Sequence, residues 1–384
     1  MTSRKNNIPQ LALALVLGAL AAASANGQDL LIGQVASHTS PMATFNAKGL
    51  HVGFNAYLAH INAQGGVGGR MVKLVNKDDQ LDPGKMTKLT REFIADKQVL
   101  ALAAYLNTTG IVELVKLNVV GEGGIAMIAP FQGDKSIVSA PNFYPFRSGY
   151  PDEVMAMVKE AVFTQKKNVA IVYQTVTFGP AMLQVAREVS KSAGLNVVAE
   201  IKVEIAVADK IDAAVKAGVQ EAVKASPDAI LLLMGGRAAL VFVKEIKNSP
   251  AADAQLYLMS VVSSLDAFKA AGGKARGIII TQTVPFPFSA TLPLVGQYQK
   301  LMKQYAPGEP LSFSSLEGFV SGKITVEALK RAGPNPTREK VLKALNAMGE
   351  YDLGGVYVNY SPKGRNGWGN VDLTIIGENG KLLR

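Results

Sequence analysis

No cysteine occurs anywhere in the 384 residues. That absence removes disulfides, thiolate nucleophiles, cysteine-based metal sites and lipid attachment to a cysteine together. Histidine is almost as scarce, with only His38, His51 and His60. His51 and His60 stand nine positions apart on one helical pattern, about two and a half turns, so they do not share a metal as an i, i+4 pair would. They are read as exposed helix residues. No G-x-S-x-G elbow, H-E-x-x-H or G-x-x-x-x-G-K-[ST] is present, which leaves hydrolase, zinc-protease and phosphate-loop chemistry without its usual groups. "GGVGGR" (65–70) imitates a dinucleotide loop, yet it follows a helix and precedes a strand, the reverse of what that fingerprint needs. It is a helix stop and a turn. The adjacent Asp78 and Asp79 are too little for a metal site and are read as strand-end or helix-capping groups. An exported enzyme is therefore disfavoured, and no cofactor or metal is expected.

Long apolar runs are also missing beyond the N-terminus, because Asp228 and Arg237 bracket the best candidate, "AILLLMGG". The first 25 residues differ. Arg4 and Lys5 precede "LALALVLGALAAA", and Ala23-Ser24-Ala25 forms a small-residue cleavage site. This is the grammar of a cleaved secretory signal peptide, and its core falls short of the ~20 residues that span a bilayer. Export without a lipid anchor is expected. The formal charge is +10, and losing Arg4 and Lys5 (+10 less two) leaves about +8 by the same count. Lysines and arginines are scattered, with no block of five like charges and no basic–aromatic interleaving. This predicts a solvated basic surface that helps hold anionic solutes near a cleft, with no nucleic-acid partner.

What the chain has in quantity is alternation of strands and amphipathic helices, enough for two domains. "LLIGQVAS" (30–37) reads as a strand. Leu50, Phe54, Tyr57, Leu58 and Ile61 then share a helical face that Gly65-Gly66 stops. Asp82 and Pro83 read as N-cap and first helical residue of the next helix. Near residue 147 the count begins again, and from Gly354 onward the chain reads as strands and turns. The pattern is that of a doubly wound sheet repeated in two α/β lobes. In open α/β sheets ligands bind beyond the carboxyl ends of strands, where helices begin. Six junctions there are short and rich in small or polar residues, namely 37–45, "NTTG" (107–110), "FQGD" (131–134), "QTVTFG" (174–179), "GGRAA" (235–239) and "VVSSLD" (261–266). Facing one another, they form a cleft with polar walls and the aromatics Phe45 and Phe178.

The order "INAQGGVGGRMVKLVNKDDQLDPGKMTKLTREFIADKQV", "IAMIAP", "NFYPFRSGYPDE" and "NVAIVYQTVTFGPAMLQVAREVSKSAGLNVVAE" resembles the periplasmic solute-binding proteins of branched-chain amino acid-type (leucine-binding-like) ABC transporters. The resemblance covers essentially the whole chain after residue 25. It implies the type I periplasmic-binding fold: two Rossmann-like lobes of parallel-rich sheets flanked by helices, joined by three crossovers near 146–149, 281–284 and 354–357. Lobe 1 is then 26–147 plus 282–354, and lobe 2 is 148–281 plus 355–384. It further implies a monomer in the periplasm, hinge closure on a small ligand, and delivery to an inner-membrane permease with its ATPase subunits. A periplasmic sensor presenting its closed form to a membrane receptor is the alternative.

Carried over residue by residue, the resemblance offers Asn107 and Thr108 to a ligand carboxylate and Gln132 and Gly133 as further donors. Phe45 corresponds to an aromatic lid on the first lobe and Phe178 to an aromatic on the second. Tyr150 follows the first crossover and lines the cleft, and Arg237 falls where an aromatic often lies. Arg147, at that crossover, is read as hinge packing rather than as a carboxylate ligand, and Trp368 as packing. The sequence departs from the family at one wall. Where amino-acid binders usually carry an acid for the ligand's ammonium, this chain reads Val261-Val262-Ser263-Ser264, and Thr175-Val176-Thr177 replaces another acid. A buried, unpaired ammonium is costly. A small carboxylate with an aromatic or aliphatic body, meeting Val262 at that wall, fits better than a plain α-amino acid.

Overall fold

The computed structural model describes residues 28–40, 43–176, 178–205 and 208–384. The expected signal segment 1–25, Pro41 and Met42 of the first junction, and Thr177 lie outside the described residues. None of the described helices is long and apolar enough to cross a membrane.

The first lobe runs β1 (Leu30–Val35), α1 (Thr44–Ala63), β2 (Val72–Lys77), α2 (Pro83–Ala95), β3 (Val99–Ala103), α3 (Thr108–Lys116), β4 (Ala126–Ile128) and β5 (Phe143–Tyr144), with two single-turn helices between α3 and β5. Its strands form one parallel sheet in the order β2-β1-β3-β4-β5. β3 is buried at every position, as a strand covered by helices on both faces must be. The helix starts are chemically marked. Asp82 accepts from Lys85 N with Pro83 beginning α2, and Asn107 accepts from Gly110 N at the start of α3.

The second lobe runs α4 (Tyr150–Phe163), β6 (Asn168–Gln174), α5 (Gly179–Ser192), β7 (Asn196–Val203), α6 (Ile211–Ala225), β8 (Ala229–Leu233), α7 (Gly236–Lys247), β9 (Gln255–Leu258), α8 (Ser264–Ala271) and β10 (Ile279–Gln282). The chain then returns to the first lobe for α9 (Pro293–Tyr305), α10 (Phe313–Arg331), α11 (Arg338–Asn346) and a small antiparallel sheet, β11 (Gly349–Asp352), β12 (Tyr357–Ser361) and β13 (Gly364–Asn366). It ends in the second lobe with β14 (Asp372–Ile376) and β15 (Leu382–Leu383). The second sheet has the order β15-β14-β10-β9-β8-β6-β7, and only β14 and β15 are antiparallel.

α10 is the element that carries the returning chain into the site. It lies so close to α1 that a Cβ on Gly53 would stand 1.8 Å from Ser315 O, and one on Gly318 2.0 Å from Leu50 O. Only glycine permits backbones to approach this closely. Ser312 caps α10 by accepting from Ser315 N, and Tyr298 Oη, 2.6 Å from Ser315 Oγ, holds the same turn.

The third crossing differs from expectation. Gly354 and Gly355 do not pass between lobes; both N–H groups donate to Asp352 Oδ1 in the turn joining β11 to β12. Val356, Val358 and Tyr360 belong to the first lobe's core, and Tyr360 Oη donates to Pro145 O. The chain crosses instead after β13, where Trp368 N donates to Phe146 O. A Cβ on Gly367 would lie 1.8 Å from that same carbonyl oxygen. Trp368 packs against the first lobe's core.

Candidate functional site

The two sheets point their carboxyl ends at each other, and hydrogen bonds join the lobes across the gap. Asn46 Nδ2 donates to Val261 O at 3.1 Å. Tyr150, the first residue of α4, reaches back so that its Oη lies 3.2 Å from Thr108 Oγ1 while its N donates to Gly133 O. Between these contacts lie two chambers that share Asn46 and Phe131 as a common wall. The strand-end chamber, about 250 Å³, is bordered by Asn107, Thr108 and Thr109 on one lobe and by Phe178, Gly235 and Val261 on the other. The hinge-side chamber, about 510 Å³, is bordered by Phe45, Arg147, Ser260, Val262, Thr283 and Glu317, and by the aromatic group Phe286, Phe288 and Phe313.

The expected residues divide between front and back. Thr108 and Phe178 border the strand-end chamber, while Phe45 and Val262 border the other. Asn107 borders the strand-end chamber too, but its side chain is occupied: Oδ1 caps Gly110 N and Nδ2 donates to buried Asp79. What α3 has left for a ligand are the first-turn N–H groups that no helix satisfies internally. Gln132 is fully buried and spans Thr108 O and Asp134 N. Gly133 lies behind Tyr150, where a Cβ would come within 2.6 Å of the ring. Tyr150 is itself buried, with its ring 4.8 Å from that of Phe178. These three hold the wall rather than form its surface. Arg237 departs from expectation. It is exposed and paired with Asp212 at 2.8 Å, because the first turn of α7 turns this side chain outward while Gly235 and Gly236 face the chamber. Of the histidines expected to be exposed, His51 is half-buried, 3.0 Å from both Gln34 Oε1 and Asn55 Nδ2. Burial, then the neighbouring His38, lower its pKa. Asp78 accepts from His38 N, Thr39 Oγ1 and Gln80 N, and Asp79 from Ser37 Oγ, Leu81 N and Asn107, so both organise the turn after β2.

A buried ionic cluster sits where the first two crossings meet. Arg147 Nη2 donates to Ser260 Oγ and, at 2.9 Å, to Thr283 Oγ1. Its guanidinium carbon lies 4.0 Å from the centroid of the Phe131 ring, a cation–π arrangement. Ser260 Oγ in turn donates to Glu153 Oε1 at 2.9 Å, and Glu153 also accepts from Ser260 N at 2.7 Å and from Thr281 Oγ1. Glu317, on α10, stands opposite. Its Oε1 is 3.9 Å from Arg147 Nε, too far for a hydrogen bond. Burial pushes the Glu317 carboxyl up to about 7, against the pull of Arg147 and with the push of Glu153. Arg147 Nε and Nη1 and Glu317 Oε1 are buried without any hydrogen-bond partner.

Comparison with known proteins decides the family. Residues 30–380 match the family described as "Periplasmic binding protein". The chain belongs to it. Members of this periplasmic binding protein family are binding proteins and not enzymes. Among curated relatives, the "Leu/Ile/Val-binding protein homolog 2" of Brucella abortus is 27% identical over 130 residues, 34% of each chain. The match thus spans about a third of that relative's length. A solved substrate-binding periplasmic protein from Ralstonia solanacearum is 25% identical with a TM-score of 0.85, covering 92% of this chain and 99% of its own. A solute-binding protein from R. palustris, solved in complex with benzoate, shares the fold at 18% identity and a TM-score of 0.77, covering 92% and 95%.

In this periplasmic binding protein, sequence reasoning missed Glu317. It sits in the second turn of α10, in "FSSLEGFVSG". The signal was available: it is an isolated acid flanked by small and apolar residues on both sides, with no charged residue among the four positions before or the five after it.

Proposed function

We propose that this protein closes its two lobes on a small carboxylate-bearing solute with an aromatic or aliphatic body, and delivers it to the inner-membrane permease of an ABC importer. The observation that carries the reading is the pair of adjoining chambers lined by both lobes, apolar over much of their surface and polar at few points. Phe286, Phe288 and Phe313 stack edge to face with centroids 5.2–6.2 Å apart and offer one chamber an aromatic wall. Phe178 does the same for the other. Thr108, Phe178, Phe45 and Val262 are the expected residues proposed to touch the solute. Asn107, Gln132, Gly133 and Tyr150 are proposed to hold them in place.

The wall that would meet a ligand's ammonium supports a non-amino acid. Val261 borders the strand-end chamber and Val262 the hinge-side chamber, and neither position supplies a charge. The benzoate complex of the R. palustris protein is an example of this fold around an aromatic acid. A solute drives closure only if it binds the closed arrangement better than the open one, which contacts from both lobes provide.

Native mass spectrometry of the purified protein, followed by calorimetry with branched-chain amino acids and with aromatic and aliphatic monocarboxylates, tests the proposal. Tight binding of a non-amino carboxylate is expected. Tight binding of leucine or valine with no response to any non-amino acid contradicts it.

A further inference from the structure

We propose that the solute's carboxylate is held in the hinge-side chamber by Arg147 and Glu317, not at the N-terminus of α3, with Glu317 taking part as the carboxylic acid. This rests on the preceding reading that the solute is a carboxylate.

The geometry leaves few alternatives for these two groups. Arg147 is only 5% exposed and Glu317 only 2%, and both border the 510 Å³ chamber. One guanidinium nitrogen is committed to Ser260 and Thr283 and one face to Phe131. The other two nitrogens have no acceptor. A buried donor without a partner is costly, and a buried charged one more so, so such groups call for an acceptor that arrives with the solute. A carboxylate supplies two oxygens and the matching charge. At the N-terminus of α3, in contrast, Asn107 is already bonded at both ends and the Thr108 hydroxyl lies on Tyr150. The rest of the hinge-side chamber suits the body of such an acid, with Phe286, Phe288 and Phe313 as its aromatic side.

Charge assigns the protonation state. Arg147 reaches Glu153 through the Ser260 hydroxyl, so one negative partner is already in place. A second carboxylate from the solute beside an ionised Glu317 would put three acids around one guanidinium. Like charges at that distance suppress ionisation, and Glu317 is the one whose burial already favours the acid form. Arg147 and Glu153 are the charged groups acting on it. On α1, the helix packed against α10, Lys48 is paired with Glu309 and His51 is bonded to Gln34 and Asn55. As the acid, Glu317 donates an O–H hydrogen bond to the solute's carboxylate, and the site must lose affinity for that carboxylate when Glu317 ionises.

The test is calorimetry of the purified protein with a panel of aromatic and aliphatic monocarboxylates, benzoate and hexanoate leading, each against its neutral amide. The wild type is expected to prefer acid over amide by about a hundredfold at pH 6, the scale of a buried charge pair. Arg147→Met is expected to reduce that preference to a few-fold while the amide still binds, which shows that the variant is folded. Should Arg147→Met not fold, Arg147→Lys keeps the charge without the planar fork and is expected to cost the acid about tenfold. Wild-type affinity for the acid is expected to fall as pH rises from 6 through 8.5, and Glu317→Gln to abolish that fall. An acid preference that survives in Arg147→Met, or in Arg147→Lys undiminished, overturns the inference while leaving the proposed function standing. So does a wild type whose acid affinity is flat with pH. A wild type that binds none of the acids overturns both.

Discussion

The two chambers share a wall at Asn46 and Phe131 but differ in how far their polar side chains are satisfied. In the strand-end chamber, Asn107 spends both ends of its amide on Gly110 and Asp79, and Thr108, Tyr150 and Gln132 satisfy one another. In the hinge-side chamber, Arg147 and Glu317 face each other at 3.9 Å with hydrogen-bonding atoms left over. Buried polar atoms are almost always paired, so a chamber whose polar side chains are already bonded to one another offers a solute mainly backbone N–H groups and apolar surface, and one whose buried side chains are incomplete is built for something that comes and goes. The same contrast appears inside the ionic cluster. Glu153 accepts from three donors and stabilises the hinge, while Glu317 accepts from none of the described residues and is left to the solute.

Four substitutions sharpen that contrast, from the largest effect down. Glu153→Ala takes an acceptor from Ser260 N, Ser260 Oγ and Thr281 Oγ1 and removes the carboxylate that Arg147 reaches through Ser260; buried hydrogen bonds to a charged group cost about 1.5–3 kcal/mol each when lost, so a loss of at least about 3 kcal/mol is expected, to be read by urea denaturation. A loss below about 1 kcal/mol would place Glu153 with the median exposed pair instead.

Glu317→Gln should act in the opposite direction and only at higher pH. The folded-state value of about 7 exceeds the ordinary 4.5, so the wild type's contribution from this group is full below pH 4.5 and is lost as pH rises to 7. At about 1.4 kcal/mol per unit, the variant should become more stable than the wild type by on the order of 3 kcal/mol at pH 8, and equal to it near pH 4. Melting curves across that range show whether the gap opens.

Asn107→Ala removes the cap of α3 and a partner of buried Asp79. It is expected to lower stability by about 1–3 kcal/mol, with solute affinity changed less than by any substitution at Arg147. A large affinity loss at unchanged stability would return the carboxylate to α3. Arg237→Ala, smallest of all, removes an exposed ion pair with Asp212; such pairs contribute little, and neither melting temperature nor affinity should move measurably.

Much of the fold was legible in the chain itself. The continuous apolar runs "VLALAAYL" and "AILLLMGG" became interior strands, and Asp82-Pro83 opened α2 as read. The crossing that the resemblance implies near 354–357 is displaced. Gly354 and Gly355 serve a β-turn closed on Asp352, and the crossing depends on the close approach of Gly367 to Phe146. No local pattern reveals such an approach, because its partner lies more than two hundred positions away. The site was legible by halves for the same reason. Strand-end junctions located Thr108 and Phe178, but whether Asn107 is free depends on Asp79, and Glu317 matters only because Gly53 and Gly318 let α10 press in beside the cleft. Arg147 was read as hinge packing from one dimension; its leftover donors exist only in three.

A crystal structure of the protein with its tightest-binding monocarboxylate would show where the carboxylate sits. A carboxylate oxygen is expected about 3 Å from an Arg147 nitrogen, with the second oxygen within reach of Glu317 and the body of the acid against Phe286, Phe288 and Phe313. A carboxylate seated on the N–H groups of Thr108 and Thr109, with Arg147 Nε and Nη1 still unpaired, would contradict that placement.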